Sequence, residues 1–232
     1  MKSPILLTLL FLCCLGAKAQ EKFSRPDFKS IEKTIQDKNS IYYYPKMLNK
    51  YMSNDTSLSN KEYFMLYFGF FFQDDNSPLG ELAEPGMLDS MHAITRKEKL
   101  EREDWEKLIK YGKQSLKRSP FDLKTLNMVY TAYKKINDIA NAMIYRQKLQ
   151  KIVGAILSTG DGKAEVTAFF VLEVGDEYAI LSILGYDYDG SQSLTAAHCD
   201  YLTIKDNKDG LKGLYFDVNQ IFAGYEKMFK KK

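Results

Sequence analysis

The side chains best suited to chemistry are two histidines, His92 and His198, and the cysteine that follows the second of them, Cys199. Histidine exchanges a proton near neutral pH and binds metals, and a cysteine thiolate is both a nucleophile and a metal ligand. The histidines lie far apart in the sequence, and the acidic stretch 187–190 lacks the third acid and the closing glutamate of an EF-hand loop. No glycine-rich phosphate loop is present either. We therefore expect no metal and no cofactor, and we interpret residues 187–190 as a turn.

Residues 194–199, Leu-Thr-Ala-Ala-His-Cys, resemble the motif around the general-base histidine of trypsin-like serine proteases. In those enzymes the histidine takes a proton from a serine, an aspartate orients the histidine, and the chain order is His, Asp, Ser. Only 34 residues follow His198, and the nucleophile motif Gly-Asp-Ser-Gly-Gly is absent. His198 would be catalytic only if this match were genuine. We predict instead that it lies within a strand, that the chain has no catalytic residues, and that it is not an enzyme.

Helical spacing and capping signals dominate residues 20–157. Ser59 with Glu62 three residues later forms a capping box at the start of an aromatic helix that should end near Gln73. Breaks at residues 78–80 and 85–86 predict a loop before a charged helix over 87–100, and Asp104 is interpreted as a break or a local cap. Amphipathic helices over 105–116, 123–133 and 139–153 follow, the last two joined by a short turn at Asn137. This pairing resembles a tetratricopeptide unit; two ordinary helical hairpins are the alternative.

The spacing changes after a linker at residues 158–162, and residues 158–232 are predicted to form a β region. Strands are expected at 166–174, 178–184, 194–204 and 214–218, with a hairpin turn at Gly175-Asp176 and a longer loop at 185–193. A short helix over 219–229 closes the chain. The predicted fold is α+β, with a tetratricopeptide-like helical region followed by a four-stranded antiparallel sheet and a C-terminal helix.

Residues 1–19 have the composition of a secretory signal peptide. A basic start is followed by an apolar run at 5–15 and by Ala17-Lys18-Ala19, which is typical of a cleavage site. Cleavage after Ala19 would reduce the formal charge from +3 to +1 and leave Cys199 as the one cysteine, so no internal disulfide could form. We expect a periplasmic or secreted product with no stable membrane insertion, and the weak charge argues against nucleic acid as a partner.

Several short stretches resemble a family of exported proteins of unknown function from Bacteroidetes. They are the run 66–70 with Gln73 and Pro78, the loop 160–162, the run Val-Gly-Asp-Glu-Tyr at 174–178, and residues 214–217. The resemblance covers nearly the whole mature chain. It implies the same architecture and an exported location, and it brings no activity.

Two functional hypotheses follow from these patterns. The first is a non-enzymatic exported protein whose helical hairpins offer a surface to a partner protein or peptide. The second is a small-ligand-binding protein or enzyme with an aromatic pocket between the sheet and the helix over residues 63–72. An open helical groove would favour the first, and a closed aromatic pocket with convergent polar groups would favour the second.

Overall fold

The computed structural model describes residues 23–73 and 86–230. The predicted signal peptide at residues 1–19 and the predicted break at 78–80 lie outside these residues. Within the part that is described, the α+β class is confirmed: helices come first, and a four-stranded sheet and a closing helix follow.

Three short helices open the fold, each with a local signal at its start. They are α1 (Phe28–Gln36), α2 (Tyr44–Met52) and α3 (Asn60–Gly69). The Asp27 side chain accepts a hydrogen bond from the Ser30 N–H at α1, and Pro45 occupies the first turn of α2. The capping box of Ser59 and Glu62 is confirmed at α3. A 3-10 turn at Phe70–Phe72 continues α3, so this helix ends where the sequence predicts.

Four helices form the next layer, and each of the last three packs on its neighbour. They are α4 (Met87–Thr95), α5 (Arg102–Ser115), α6 (Leu123–Lys135) and α7 (Ile139–Leu157). Asp104 is not a break: its carboxylate accepts from the Glu101 N–H and completes a capping box at α5. The predicted turn before α7 is confirmed, with Asn137 in the left-handed region at φ 64°. α5 packs on α6, α6 on α7, and α7 on α3.

The prediction of a hairpin at residues 166–184 is wrong. Only Phe169–Phe170 form a strand, β1, and residues Val174–Leu184 form a helix, α8. Asp176 and Glu177 lie in the first turn of α8, where the positive end of the helix dipole favours acids. Gly185 ends the helix at φ 83°, a left-handed conformation that glycine adopts without strain. Gly175 and Asp176 are therefore helical and do not form a turn.

The sheet is mixed and not purely antiparallel. Its strands are β1, β2 (Tyr188–Leu194), β3 (Cys199–Ile204) and β4 (Gly213–Asp217), in the order β1-β4-β3-β2. β4 pairs antiparallel with β3, as β3 does with β2, but β1 runs parallel to β4. The predicted loop at 185–193, including the acidic stretch 187–190, contains most of the edge strand β2. Between β1 and the antiparallel strands the chain passes through α8. A crossover of this kind allows β1 to run parallel to β4, which a tight hairpin would not.

His198 does not lie within a strand, as the sequence predicted. It occupies the turn between β2 and β3 with φ at 55°, and its side chain is exposed. The turn is closed by the Thr195 N–H, which donates to the Cys199 carbonyl. β3 therefore begins at Cys199, five residues after the predicted start at Leu194. β4 and the closing helix α9 (Asn219–Lys230) lie close to their predicted places.

One hydrophobic cluster includes buried side chains of both the helices and the sheet. Along β3, Leu202 and Ile204 share the buried face with Leu214 and Phe216 of β4, in agreement with strand alternation. α8 packs against α6 and so links the helical layer to the sheet. Among the described residues, no helix is both long enough and apolar enough to cross a membrane.

Candidate functional site

The histidines that could do chemistry lie on the surface, without the partners that a protease would need. His92 is exposed on α4. The Nδ1 atom of His198 lies 3.1 Å from the Asn219 side-chain oxygen, and its ring centroid lies 5.3 Å from that of Phe222. A trypsin-type histidine contacts a serine hydroxyl and a carboxylate instead. Among residues 23–73 and 86–230, no group of three or more His, Cys, Asp or Glu side chains could hold a metal ion.

Cys199 is buried at the start of β3. Burial, with a smaller contribution from the nearby Asp217 carboxylate, raises the pKa of its thiol to about 11. The thiol is therefore protonated at neutral pH, and a protonated thiol is a poor nucleophile. Cys199 acts as a small core side chain in this fold.

The aromatic residues of α3 pack against one another and fill the space beside the sheet. Phe64, Tyr67 and Phe68 are all buried, and the Phe68 ring centroid lies 4.7 Å from that of Phe64 and 4.9 Å from that of Tyr67. Such edge-to-face and tilted contacts stabilise a core and leave little room for a ligand. The geometry of α3 thus gives no support to an aromatic pocket at this place.

The least expected group of side chains surrounds the first turn of α8. Three acids of this segment, Glu173, Asp176 and Glu177, meet Asp122 from the start of α6 and Asp200 from β3. We call these five residues the carboxyl cluster. No ion pair joins any of them to a cation in the part of the chain that is described.

Neutral donors stabilise part of the carboxyl cluster. The Tyr67 hydroxyl donates to Asp176 Oδ2 at 2.5 Å and accepts from the Leu172 N–H at 3.1 Å. Asp200 accepts from the side-chain amide of Gln192 at 2.6 Å. Glu177 is different: it is 0% exposed, and neither of its carboxyl oxygens has a hydrogen-bond partner among the described residues.

Burial in this cluster favours the protonated acids. Burial first, and then the charge of Asp200, raises the pKa of Glu177 to about 9. Burial and the nearby Asp122 raise the pKa of Glu173 to about 7. The pKa of Asp176 also lies well above its usual range, because burial and Glu173 outweigh the hydrogen bond from Tyr67. At neutral pH, Glu177 is therefore neutral.

Paired carboxyl groups with raised pKa values occur at catalytic sites, where one of them serves as a general acid. Here Asp176 and Glu177 are both enclosed, with 4% and 0% of their surface exposed. A substrate could not reach them without movement of α8. In this conformation Glu177 holds a proton at the junction of α3, α6, α8 and β3, and both it and Asp176 are closed to an external molecule, whereas Glu173, Asp122 and Asp200 are partly exposed.

A buried lysine is a second group with a shifted pKa. Lys148 of α7 is 6% exposed, and its ammonium donates to the Asn54 side-chain oxygen at 2.6 Å. The same nitrogen lies 4.3 Å from the centroid of the Tyr51 ring and 5.4 Å from that of Tyr145. Burial lowers the pKa of Lys148 to about 8, although the two rings attract the cation. These contacts fix α7 to the loop after α2.

An open groove of about 650 Å³ runs along α5. Ile109 is the buried apolar residue of its wall, and Gln114 is half-buried. The remaining wall is charged: Glu106 lies towards the start of the helix, and four exposed cations follow, namely Lys110, Lys113, Lys117 and Arg118. Spacings of three and four residues place Glu106, Ile109, Lys110, Lys113 and Gln114 on one face of α5, and Lys117 and Arg118 follow in the turn after the helix. We call this surface the α5 groove.

Sequence reasoning missed both the carboxyl cluster and the α5 groove. A signal for the carboxyl cluster was present, because the otherwise apolar segment 168–184 contains three acids, all of them within residues 173–177. For the α5 groove, the recurrence of lysine and arginine at 110, 113, 117 and 118 was visible. Neither signal shows which other helices or strands lie nearby. Asp122 and Asp200, for example, are distant in sequence, and only the tertiary fold brings them next to α8.

No curated protein and no solved structure matches the chain. One family model does, and it extends from the start of α1 to within α9, including both the carboxyl cluster and the α5 groove. That model matches residues 29–227, and the chain therefore belongs to the family described as "Domain of unknown function (DUF4919)".

Proposed function

We propose that the protein is an exported, non-enzymatic binding module whose helical hairpins offer a surface to another protein, in the manner of tetratricopeptide units. The observation that carries this proposal is the α5 groove. It is open, it lies on the outer face of consecutive packed helices, and it combines the buried Ile109 with exposed cations.

The packing of α5, α6 and α7 supports the comparison with helical repeats. In such repeats each helix contacts its sequence neighbours, and small residues allow close approach. Gly112 of α5 meets this requirement, because a Cβ atom there would overlap the Val129 side chain of α6. α4 and α6 both contact α5, and among the described residues the groove is lined only by α5 and by the turn that follows it.

The remaining parts of the proposal rest on other residues. Export rests on the signal-like residues 1–19. A non-enzymatic role is supported by the burial of Asp176 and Glu177, by the protonated Cys199 thiol, and by the Asn219 partner of His198. The second hypothesis, a ligand pocket walled by α3, is favoured less because its aromatic residues fill their own space.

Position-specific photo-crosslinking in the native host tests this proposal. A photoreactive amino acid replaces Gln114 in the groove, and in a matched strain it replaces Gln150, an exposed glutamine of α7. We expect a discrete higher-mass adduct from position 114 and none from position 150. The absence of an adduct at 114, or the same adducts at both positions, would contradict the proposed binding surface.

A further inference from the structure

The charges of the α5 groove specify the chemistry of its partner. We infer that the groove binds an acidic, extended peptide segment of a partner protein, with the acids opposite the C-terminal half of α5. This inference rests on the proposed binding function and adds the class of partner and its orientation.

The first argument is the absence of internal neutralisation. Lys110, Lys113 and Lys117 form no ion pair with a carboxylate among the residues that the structure describes, and neither does Arg118. Other cations on and near α5 do find acids: Lys97 binds Asp104 at 2.7 Å, and Arg102 binds Glu106 at 2.9 Å. Two acids in the N-terminal half of α5, Asp104 and Glu106, are therefore paired with cations outside the groove, and the groove cations remain available.

The helix dipole does not account for this arrangement by itself. Cations near a helix C-terminus are favourable, but the effect is confined to about the last turn. α5 ends at Ser115, so Lys110 lies more than a turn before the end of the helix. In addition, the cations border a groove whose wall includes the buried Ile109, whereas a purely solvated face has no such concavity.

Spacing selects an extended segment. Lys110 lies on α5, and Arg118 lies eight positions later in the turn that follows. The Lys117 N–H donates to the Gln114 carbonyl and the Arg118 N–H to the Ser115 carbonyl, so the turn continues the helical path and the span is about 12 Å. An extended peptide covers that length in about four residues, and its alternate side chains recur about every 6.6 Å, close to one helical turn. Acids at alternate positions would therefore face successive cations, and an apolar residue nearby would contact Ile109.

A peptide fits the groove better than a nucleic acid. Nucleic-acid surfaces are broad and basic, and single strands stack their bases on aromatic side chains. The α5 groove is one row of cations with Glu106 at its end, and no aromatic residue is among its described walls. The formal charge of the whole chain is only +3.

Fluorescence anisotropy tests this inference directly. The probe is a fluorescein-labelled twelve-residue peptide with a central Glu-Leu-Glu-Gly-Glu segment, and its control has glutamine in place of each glutamate. We expect the full chain to bind the acidic peptide at least about tenfold more tightly than the control, and the affinity to fall severalfold between 50 and 300 mM NaCl. The double variant Lys113→Glu/Lys117→Glu should lose at least about tenfold in affinity.

The matched control is Lys134→Glu/Lys135→Glu, which reverses two exposed lysines in the last turn of α6 outside the groove. It should bind within about twofold of the wild type. A milder variant, Lys113→Gln/Lys117→Gln, is used if charge reversal alters the circular dichroism spectrum. Equal binding by wild type and groove variants, or binding of a dT12 oligonucleotide but not of the peptide, would overturn the inference. An adduct at position 114 without peptide binding would refute the acidic partner alone and leave the proposed surface standing.

Discussion

Replacement of Glu177 by glutamine should change how stability depends on pH. Glu177 is fully buried in the first turn of α8, without a hydrogen-bond partner among the described residues, and the Asp200 charge lies nearby. The folded protein therefore keeps the carboxyl group protonated. Glutamine has the same shape and no charge, so Glu177→Gln removes the titration and preserves the volume.

The magnitude follows from the two pKa values of this side chain. The ordinary pKa is 4.5, and burial raises it to about 9 in the folded protein. Between these values the unfolded chain has released a proton that the folded chain retains, so the free energy of unfolding falls as pH rises, by about 1.4 kcal/mol per pH unit. The titration of Glu177 therefore makes the free energy of unfolding of the wild type about 4 kcal/mol lower at pH 7.5 than at pH 4.5. The amide carries a burial cost of its own, but that cost does not vary with pH.

Urea unfolding followed by circular dichroism at several pH values between 5.5 and 8.5 measures this effect. As the pH rises, the unfolding free energy of Glu177→Gln should increase relative to that of the wild type by about 1.4 kcal/mol for each pH unit. Glu32→Gln, at an exposed position of α1, is the control and should show no such slope. A difference that is constant across this pH range would refute the assignment of a protonated Glu177.

Three further perturbations test the packing around the site. Tyr67→Phe removes the donor to Asp176 and the acceptor for the Leu172 N–H, and it should cost about 1–3 kcal/mol of unfolding free energy in a urea titration. Gly112→Ala should lower the unfolding free energy by about 1–3 kcal/mol, because the new methyl group would overlap Val129 and lie 2.9 Å from Met128 Cε. Gly154→Ala should raise it by about 0.5–1 kcal/mol in the same assay, because no atom lies within 4 Å of the added methyl group. Equal effects of the two glycine substitutions would contradict the close packing of α5 on α6. The Cys199 thiol should resist alkylation at pH 8 until the protein unfolds, as measured by mass spectrometry of its peptide; rapid labelling of the folded chain would contradict its burial.

Local capping signals made most of the helical region predictable. The capping box at Ser59, the aspartate caps at Asp122 and Asp138 and the turn at Asn137 each act over three or four residues, so the sequence contains the whole interaction. The α+β class was correct because the strand spacing of residues 199–204 and 214–217 is a local property as well. The change from helical to strand spacing was placed too early, because residues 174–184 are helical.

The region around α8 was not predictable in this way. Its apolar residues lie on every side of the helix, since Ile180 and Leu181 face the core while Val174 and Ile183 are partly exposed. A segment that is apolar on all sides fits a buried strand as well as a helix. Gly185 was the one local sign of a helix end. The parallel pairing of β1 with β4 depends on contacts between distant segments, which no local pattern contains.

The carboxyl cluster and the α5 groove differ in how far they could be foreseen. Lys110 and Lys113 lie on one helix, so their common face follows from spacing alone. The concavity does not follow from spacing, and neither does the place of Lys117 and Arg118, which lie in the turn after α5. The cluster forms only where α6, α8 and β3 meet. Its carboxyl groups are ordinary in the sequence, and they become unusual because the fold buries Asp176 and Glu177 beside the other three.

Anisotropy of the acidic peptide with the wild type and with Lys113→Glu/Lys117→Glu tests the role of the α5 groove most directly. We predict saturable binding to the wild type that weakens with salt and falls by at least about tenfold in the variant, while Lys134→Glu/Lys135→Glu binds like the wild type. Binding that is indifferent to the groove charges, or that is lost equally in both variants, would contradict a partner surface built on Lys110, Lys113, Lys117 and Arg118.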